Sequence, residues 1–254
     1  MPPLTLSKKM IRRKISVITL GCSKNTVDTE HLLAMLPEDA FDISDGCGQH
    51  LDCLLVNTCG FIGDAKEESV QTILEAVEKK KSKDIDRIVV FGCLSQRYSD
   101  ELPGEIPEVD AWFGARDLKP VAEYLCRTFG VEARIEPSPL RRFLPSSYAY
   151  LKISEGCNHG CAYCAIPYIR GGYRSRDMKL ILKEAKKLAE EGKISTAYSL
   201  KNIINRNIAF GCVIKNINVD IFGRFFSLIM SAKVKRICSG SFHSRNILVQ
   251  IGSR

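Results

Sequence analysis

The chain has 254 residues, 45% of them hydrophobic and 26% charged, enough for one large or two ordinary domains of a water-soluble globular protein. Its net charge of +8 suggests nucleic-acid binding until it is placed: from Lys193 onward ten Lys/Arg face a single acid, Asp220, whereas residues 1–192 carry 27 basic and 28 acidic side chains. Eleven cysteines with no secretory leader and no apolar run of membrane-spanning length exclude a disulfide-stapled secreted domain and a membrane protein, and point to a cytoplasmic location and metal binding.

Lys14–Leu20 is a β-branched run expected to form a buried strand, ending in Gly21-Cys22-Ser23. Asn25 or Thr26 is expected to cap a helix with Asp28 and Glu30 in its first turn, stopped by Pro37. Asp52–Thr58 reads as the next strand and leads into Cys59-Gly60. Asp64 and Glu67 have capping-box spacing ahead of a helix with Val70, Ile73, Leu74 and Val77 inward and Lys79–Lys81 at its negative end. Asp86–Phe91 reads as a third strand, followed by Gly92-Cys93, and a further helix starts near Asp117 with Val121, Tyr124 and Leu125.

Strands alternating with helices imply a parallel α/β sheet, in which ligands gather beyond the carboxyl ends of the strands. Cys22, Cys59 and Cys93 each follow a predicted strand end. This topology can bring them to one edge as a three-cysteine site, although buried packing cysteines are an ordinary alternative. Cys53 and Cys126 read as packing residues and Cys47 as a loop thiol.

The Pro- and Arg-rich stretch 131–147 reads as a linker. Tyr148–Ser154 is expected to be a strand running into Cys157, Cys161 and Cys164, spaced C-x3-C-x2-C. Met178–Glu191 is expected to be an amphipathic helix with Leu180, Ile181, Ala185 and Leu188 inward. Strand, cysteine loop and helix would form the first βα unit of a barrel-like domain. Three thiolates leave one iron of a cubane open for a ligand. From spacing alone, a zinc knuckle with His159 as fourth ligand is the competing reading. Arg170, Arg174 and Arg176 read either as a solvated basic loop or as anchors for carboxylate or phosphate.

The string EGCNHGCAYCAIP, running on to RGGYRSR, resembles the radical S-adenosylmethionine (SAM) enzymes, in particular their methylthiotransferase branch. TLGCSKNTVDTE, VNTCGFIGDAKEES and FGCLSQRY are similar to the three cysteine blocks of that family's N-terminal domain. The resemblance implies two 4Fe-4S clusters. Cys157, Cys161 and Cys164 would hold the radical-generating cluster that chelates SAM, with Tyr163 packed near SAM. Cys22, Cys59 and Cys93 would hold an auxiliary cluster carrying the sulfur to be inserted. It further implies an electron donor, a sulfur source and no general base. LGCSKN and VNTCGFI side with the branch that modifies an aspartate β-carbon in a small-subunit ribosomal protein. A tRNA (adenosine) methylthiotransferase is the alternative, and a chain that binds clusters without turnover is another.

The corresponding domains are 14–130 (auxiliary cluster), the linker 131–147 and 148–192 (the start of a radical SAM partial barrel). Residues 193–254, with eleven Ile, six Asn and one acid, continue neither the barrel nor the family's C-terminal TRAM domain. They read as an unrelated tail on a product truncated after about residue 192.

Overall fold

The two most continuous apolar runs of the N-terminal region become two of the three inner strands of a parallel sheet. The computed structural model describes residues 12–44, 50–132, 148–190, 195–196 and 248–252. It divides into two units, Met1–Phe143 with Tyr168–Arg170, and Leu144–Pro167 with Gly171–Arg254.

In chain order the first unit contains β1 (Arg13–Thr19), α1 (Ser23–Met35), β2 (Phe41–Ser44), β3 (Cys53–Thr58), α2 (Gly63–Lys81), β4 (Ile88–Gly92), α3 (Cys93–Arg97), α4 (Leu102–Glu105), β5 (Ala111–Trp112) and α5 (Lys119–Phe129). The strands lie in the order β2-β1-β3-β4-β5 with every pair parallel, Ile15 opposite Cys53 and Leu54 opposite Ile88. The chain therefore moves outward in both directions from β1, which creates a crevice beyond the carboxyl ends of β1 and β3.

Both faces of this sheet are covered. Ile15, Val17, Leu55 and Phe91 pack with Leu32 and Leu33 of α1 and with Val121 and Leu125 of α5. Leu54, Val56, Ile88 and Val90 pack with Ile73 and Val77 of α2 on the opposite side. Successive strand residues point to opposite faces, so a strand covered on both sides must be apolar almost throughout. Each such side chain contributes about 1.5–3 kcal/mol when fully buried. Cys53 and Cys126 sit in the first core, as packing residues; Cys47 lies outside the described residues.

Several local expectations are corrected. α1 starts at Ser23 with Cys22 in the cap position, so Asp28 and Glu30 fall beyond its first turn. Asn25 does not cap it, because its side chain turns into the protein. α2 starts at Gly63 without a side-chain cap bond, although Asp64 and the three lysines sit at the dipole ends as expected. Leu74 is exposed, with Ser69, Ile73, Ala76 and Val77 forming the buried stripe. The edge strands β2 and β5 and the short helices α3 and α4 had no sequence expectation, being too brief to show a period.

The second unit contains β6 (Tyr148–Lys152), β7 (Ser154–Glu155), the start of α6 (Ile166–Arg170), β8 (Arg174–Ser175), α7 (Met178–Glu190), β9 (Ser195–Thr196) and β10 (Leu248–Gly252). Strand β6, the cysteine loop and α7 follow in the expected order. β10 pairs antiparallel with both β6 and β9, and β7 with β8. On α7, Ile181 is buried but Leu180 is 47% exposed, contrary to its expected inward position. The side chains of Ala185 and Leu188, most of the linker 131–147 and most of 193–254 lie outside the described set. Among the described residues no helix is long and apolar enough to cross a membrane.

Candidate functional site

β1, β3 and β4 are adjacent and parallel, so the segments that leave them share one edge of the sheet. Cys22 follows β1 across the turn Leu20-Gly21, while Cys59 and Cys93 come directly after β3 and β4. Cys22 is exposed; Cys59 and Cys93 are buried. Burial pushes the Cys59 and Cys93 thiols up, and a negative charge on Cys22 pushes both the same way. Gly21 has φ +85°, and a Cβ there would stand 2.5 Å from Cys59 Cβ and 2.7 Å from its Sγ. Only glycine combines that backbone with that approach. At Gly92, φ is +112° and a Cβ would meet Thr58 O at 2.6 Å.

A buried polar network ties the three strand ends together. Asn25 Nδ2 donates to Leu20 O at 2.8 Å and to Thr58 O at 3.1 Å. Asn57 Nδ2 donates to Asn25 O at 2.8 Å and Thr29 Oγ1 at 3.0 Å. The Cys59 amide donates to Ser69 Oγ at 3.0 Å, and Ser69 Oγ donates to Ala65 O at 2.7 Å. These bonds satisfy backbone groups that a sheet edge would otherwise leave unpaired in the interior.

Arg170 belongs to this same unit. It is 1% exposed. Its Nε and Nη2 donate to Cys93 Sγ at 3.3 and 3.2 Å, Nη2 also to Asn25 Oδ1 at 2.6 Å, and Nη1 pairs with the buried Asp28 carboxylate. Arg116 holds this segment by donating Nε to Ile169 O at 3.3 Å. Burial pushes the Cys93 thiol up to about 11, with the Arg170 charge and hydrogen bond opposing that rise. Arg170 is thus not part of a solvated loop; the carboxylate it anchors is the protein's own.

In the second unit, Cys157, Cys161 and Cys164 are all partly exposed on the loop between β7 and α6. The Cys157 amide donates to Gly171 O at 3.1 Å, the Tyr173 amide to Asn158 Oδ1 at 2.7 Å and the Cys164 amide to Cys161 O at 3.0 Å. The loop is therefore folded on its own backbone. The His159 amide, not its ring, meets Cys157 Sγ at 3.4 Å. Arg176 pairs with Glu184 at 2.7 Å, Arg174 is exposed, and Tyr163 is 71% exposed.

Among the described residues no group of three or more His, Cys, Asp or Glu is placed to hold a metal ion. A zinc ion draws four donors to one point, whereas a cubane takes thiolates at separate corners. Three soft sulfur donors on adjacent strand ends, with Gly21 allowing its turn to approach Cys59 closely, match the second kind of group in donor chemistry. Asn25, Asp28 and Ser69 went unrecognised in the sequence as parts of this site. The available signal was the spacing Asn25, Asp28, Leu32, which puts two polar residues on an apolar helix face.

Residues 14–114 match the model of the uncharacterized protein family UPF0004, and residues 151–200 match the radical SAM superfamily. The chain is 46% identical over 187 residues to "Ribosomal protein uS12 methylthiotransferase RimO" of Porphyromonas gingivalis, covering 72% of this chain and 42% of that protein. Proteins of the same name from Bacteroides thetaiotaomicron (46% over 184 residues; 72% of this chain and 42% of that protein) and Chloroherpeton thalassium (47% over 181 residues; 71% and 41%) are similar to the same extent. The chain therefore spans about two fifths of the length of these curated relatives.

Proposed function

We infer that this chain, with its UPF0004 and radical SAM segments, carries the cofactor-binding machinery of a radical SAM methylthiotransferase that acts, as its relatives' names state, on ribosomal protein uS12. The observation that carries the reading is the pair of three-cysteine sets: one on the carboxyl ends of three adjacent parallel strands, the other in a C-x3-C-x2-C loop. When bound, one 4Fe-4S cluster supplies the electron for reductive cleavage of SAM, and the second carries the sulfur that is methylated and transferred.

Cys157, Cys161 and Cys164 would hold the first group, which would bind SAM, and Tyr163 would pack near the SAM. Cys22, Cys59 and Cys93 hold the second. Gly21 keeps the approach to Cys59 open, and Ser69 fixes the Cys59 backbone. The acceptor is the β-carbon of an aspartate, and its hydrogen is not acidic enough for a side-chain base to remove, so the chain needs no general base. The domains behind this reading are 14–130 for the sulfur-carrying cluster and 148–192 for the start of the SAM-binding domain. The reaction also requires an electron donor and a sulfur source.

The test is anaerobic reconstitution of the full chain with iron and sulfide. Two clusters' worth of iron is expected, falling to one when either cysteine trio is replaced by serine. Chelation of the iron should abolish any SAM cleavage. A methylthio mass shift is expected on the ribosomal protein. The same shift on tRNA instead would overturn the substrate assignment, and zinc in place of iron would overturn the chemistry.

A further inference from the structure

The buried Arg170 has no part in the reading above, yet both of its terminal nitrogens and its Nε are used. Two of its N–H groups converge on one sulfur, Cys93 Sγ, at 3.3 and 3.2 Å. Asp28 and Asn25 hold the rest of the guanidinium. Arg116 fixes the backbone that carries it. A full positive charge buried to this degree is costly unless it is paired and its remaining N–H groups are hydrogen-bonded. Asp28 and Asn25 take part of that demand, and the two other bonds converge on a proposed ligand sulfur.

We propose that Arg170 is a positioning residue for the auxiliary site: it fixes Cys93 Sγ and sets the reduction potential of the iron–sulfur group held there, with Asp28 restraining its charge. This rests on the assignment of Cys22, Cys59 and Cys93 as cluster ligands. Hydrogen bonds to ligand sulfur and net local charge are the protein's main means of setting such a potential. Reduction adds negative charge, so N–H donors and a guanidinium favour the reduced state and raise the potential. The Asp28 carboxylate opposes them.

The experiment uses the full chain with Cys157, Cys161 and Cys164 replaced by serine, so that only the N-terminal site loads. Iron content and an EPR-monitored redox titration are measured for this parent, for Asp28→Asn, and for Asp28→Asn combined with Arg170→Gln. Asp28→Asn leaves the arginine charge unopposed, and its potential is expected to move positive. The double variant has the parent's net charge but lacks the guanidinium donors, and its potential is expected to fall below the parent's, with an altered EPR signal. Iron lost from a double variant that keeps its circular dichroism would also support the role, since the sulfur would no longer be held. Coincident potentials in all three at equal iron content would reduce Arg170 to a packing residue. A parent that binds no iron would overturn the site assignment itself and this role with it.

Discussion

Gly21→Ala tests how tightly the first cysteine turn is built against the second. Two costs add there. Left-handed backbone at φ +85° costs a residue with a Cβ about 1–2 kcal/mol. A Cβ 2.5 Å from Cys59 Cβ must displace a buried neighbour, at about 1–3 kcal/mol. Together they predict a loss of about 2–5 kcal/mol. Two other glycines separate the components. Gly130 has φ +68° and open space around its Cβ position, so Gly130→Ala is expected to lose only the strain of about 1–2 kcal/mol. Gly63, at the start of α2 with nothing within 4 Å, carries neither cost, and Gly63→Ala is expected to gain up to about 1 kcal/mol. Trp112 is the sole tryptophan and lies on β5 of this sheet, so urea unfolding followed by its fluorescence reports on the right unit. With a slope of about 2 kcal/mol per M, Gly21→Ala should lower the midpoint by about 1–2.5 M. If Gly21→Ala and Gly130→Ala lost the same amount, crowding against Cys59 would play no part and the argument for a tight cysteine edge would fail.

Ser69→Ala removes the acceptor of the buried Cys59 amide and should cost about 1–3 kcal/mol; stability and iron uptake are both expected to drop, and unchanged iron uptake would mean that Ser69 does not position Cys59. Burial raises the Cys53 thiol above its unfolded value of 9.0. Its contribution is complete below that value and is lost as pH climbs toward the folded value, by up to about 1.4 kcal/mol per pH unit. Cys53→Ala should therefore lower stability near neutrality by about 1 kcal/mol yet flatten the decline above pH 9 in the metal-free chain, as read from urea midpoints across pH. On α7, Ile181→Ala should cost about 2–5 kcal/mol and Leu180→Lys less than about 0.5 kcal/mol, measured by thermal unfolding.

Two of the inner strands, β3 and β4, were legible because burial on both faces demands nearly continuous apolar sequence, which they have in CLLV and IVVF. The two candidate cysteine sets could be picked out for a related reason: strand ends and the C-x3-C-x2-C spacing are local features. The edge strands were not. β2 is four residues and β5 two, and strands so short take their conformation from the neighbour they pair with.

The sequence by itself determined the alternation of strands and helices, the candidate thiols and the likeness to radical SAM methylthiotransferases. Only the tertiary structure decided what Asn25, Asp28 and Arg170 do. As chain positions Asn25 was one of two candidate caps, Asp28 a dipole partner, and Arg170 either a loop cation or an anchor for carboxylate or phosphate. Folded, they are one buried cluster around Cys93, joined across 142 residues by the Asp28–Arg170 contact. Spacing along a chain reports which side chains share a helix face or a strand. The meeting of a guanidinium with a carboxylate and a sulfur from distant segments depends on where the sheet order and the packing of its helices carry them.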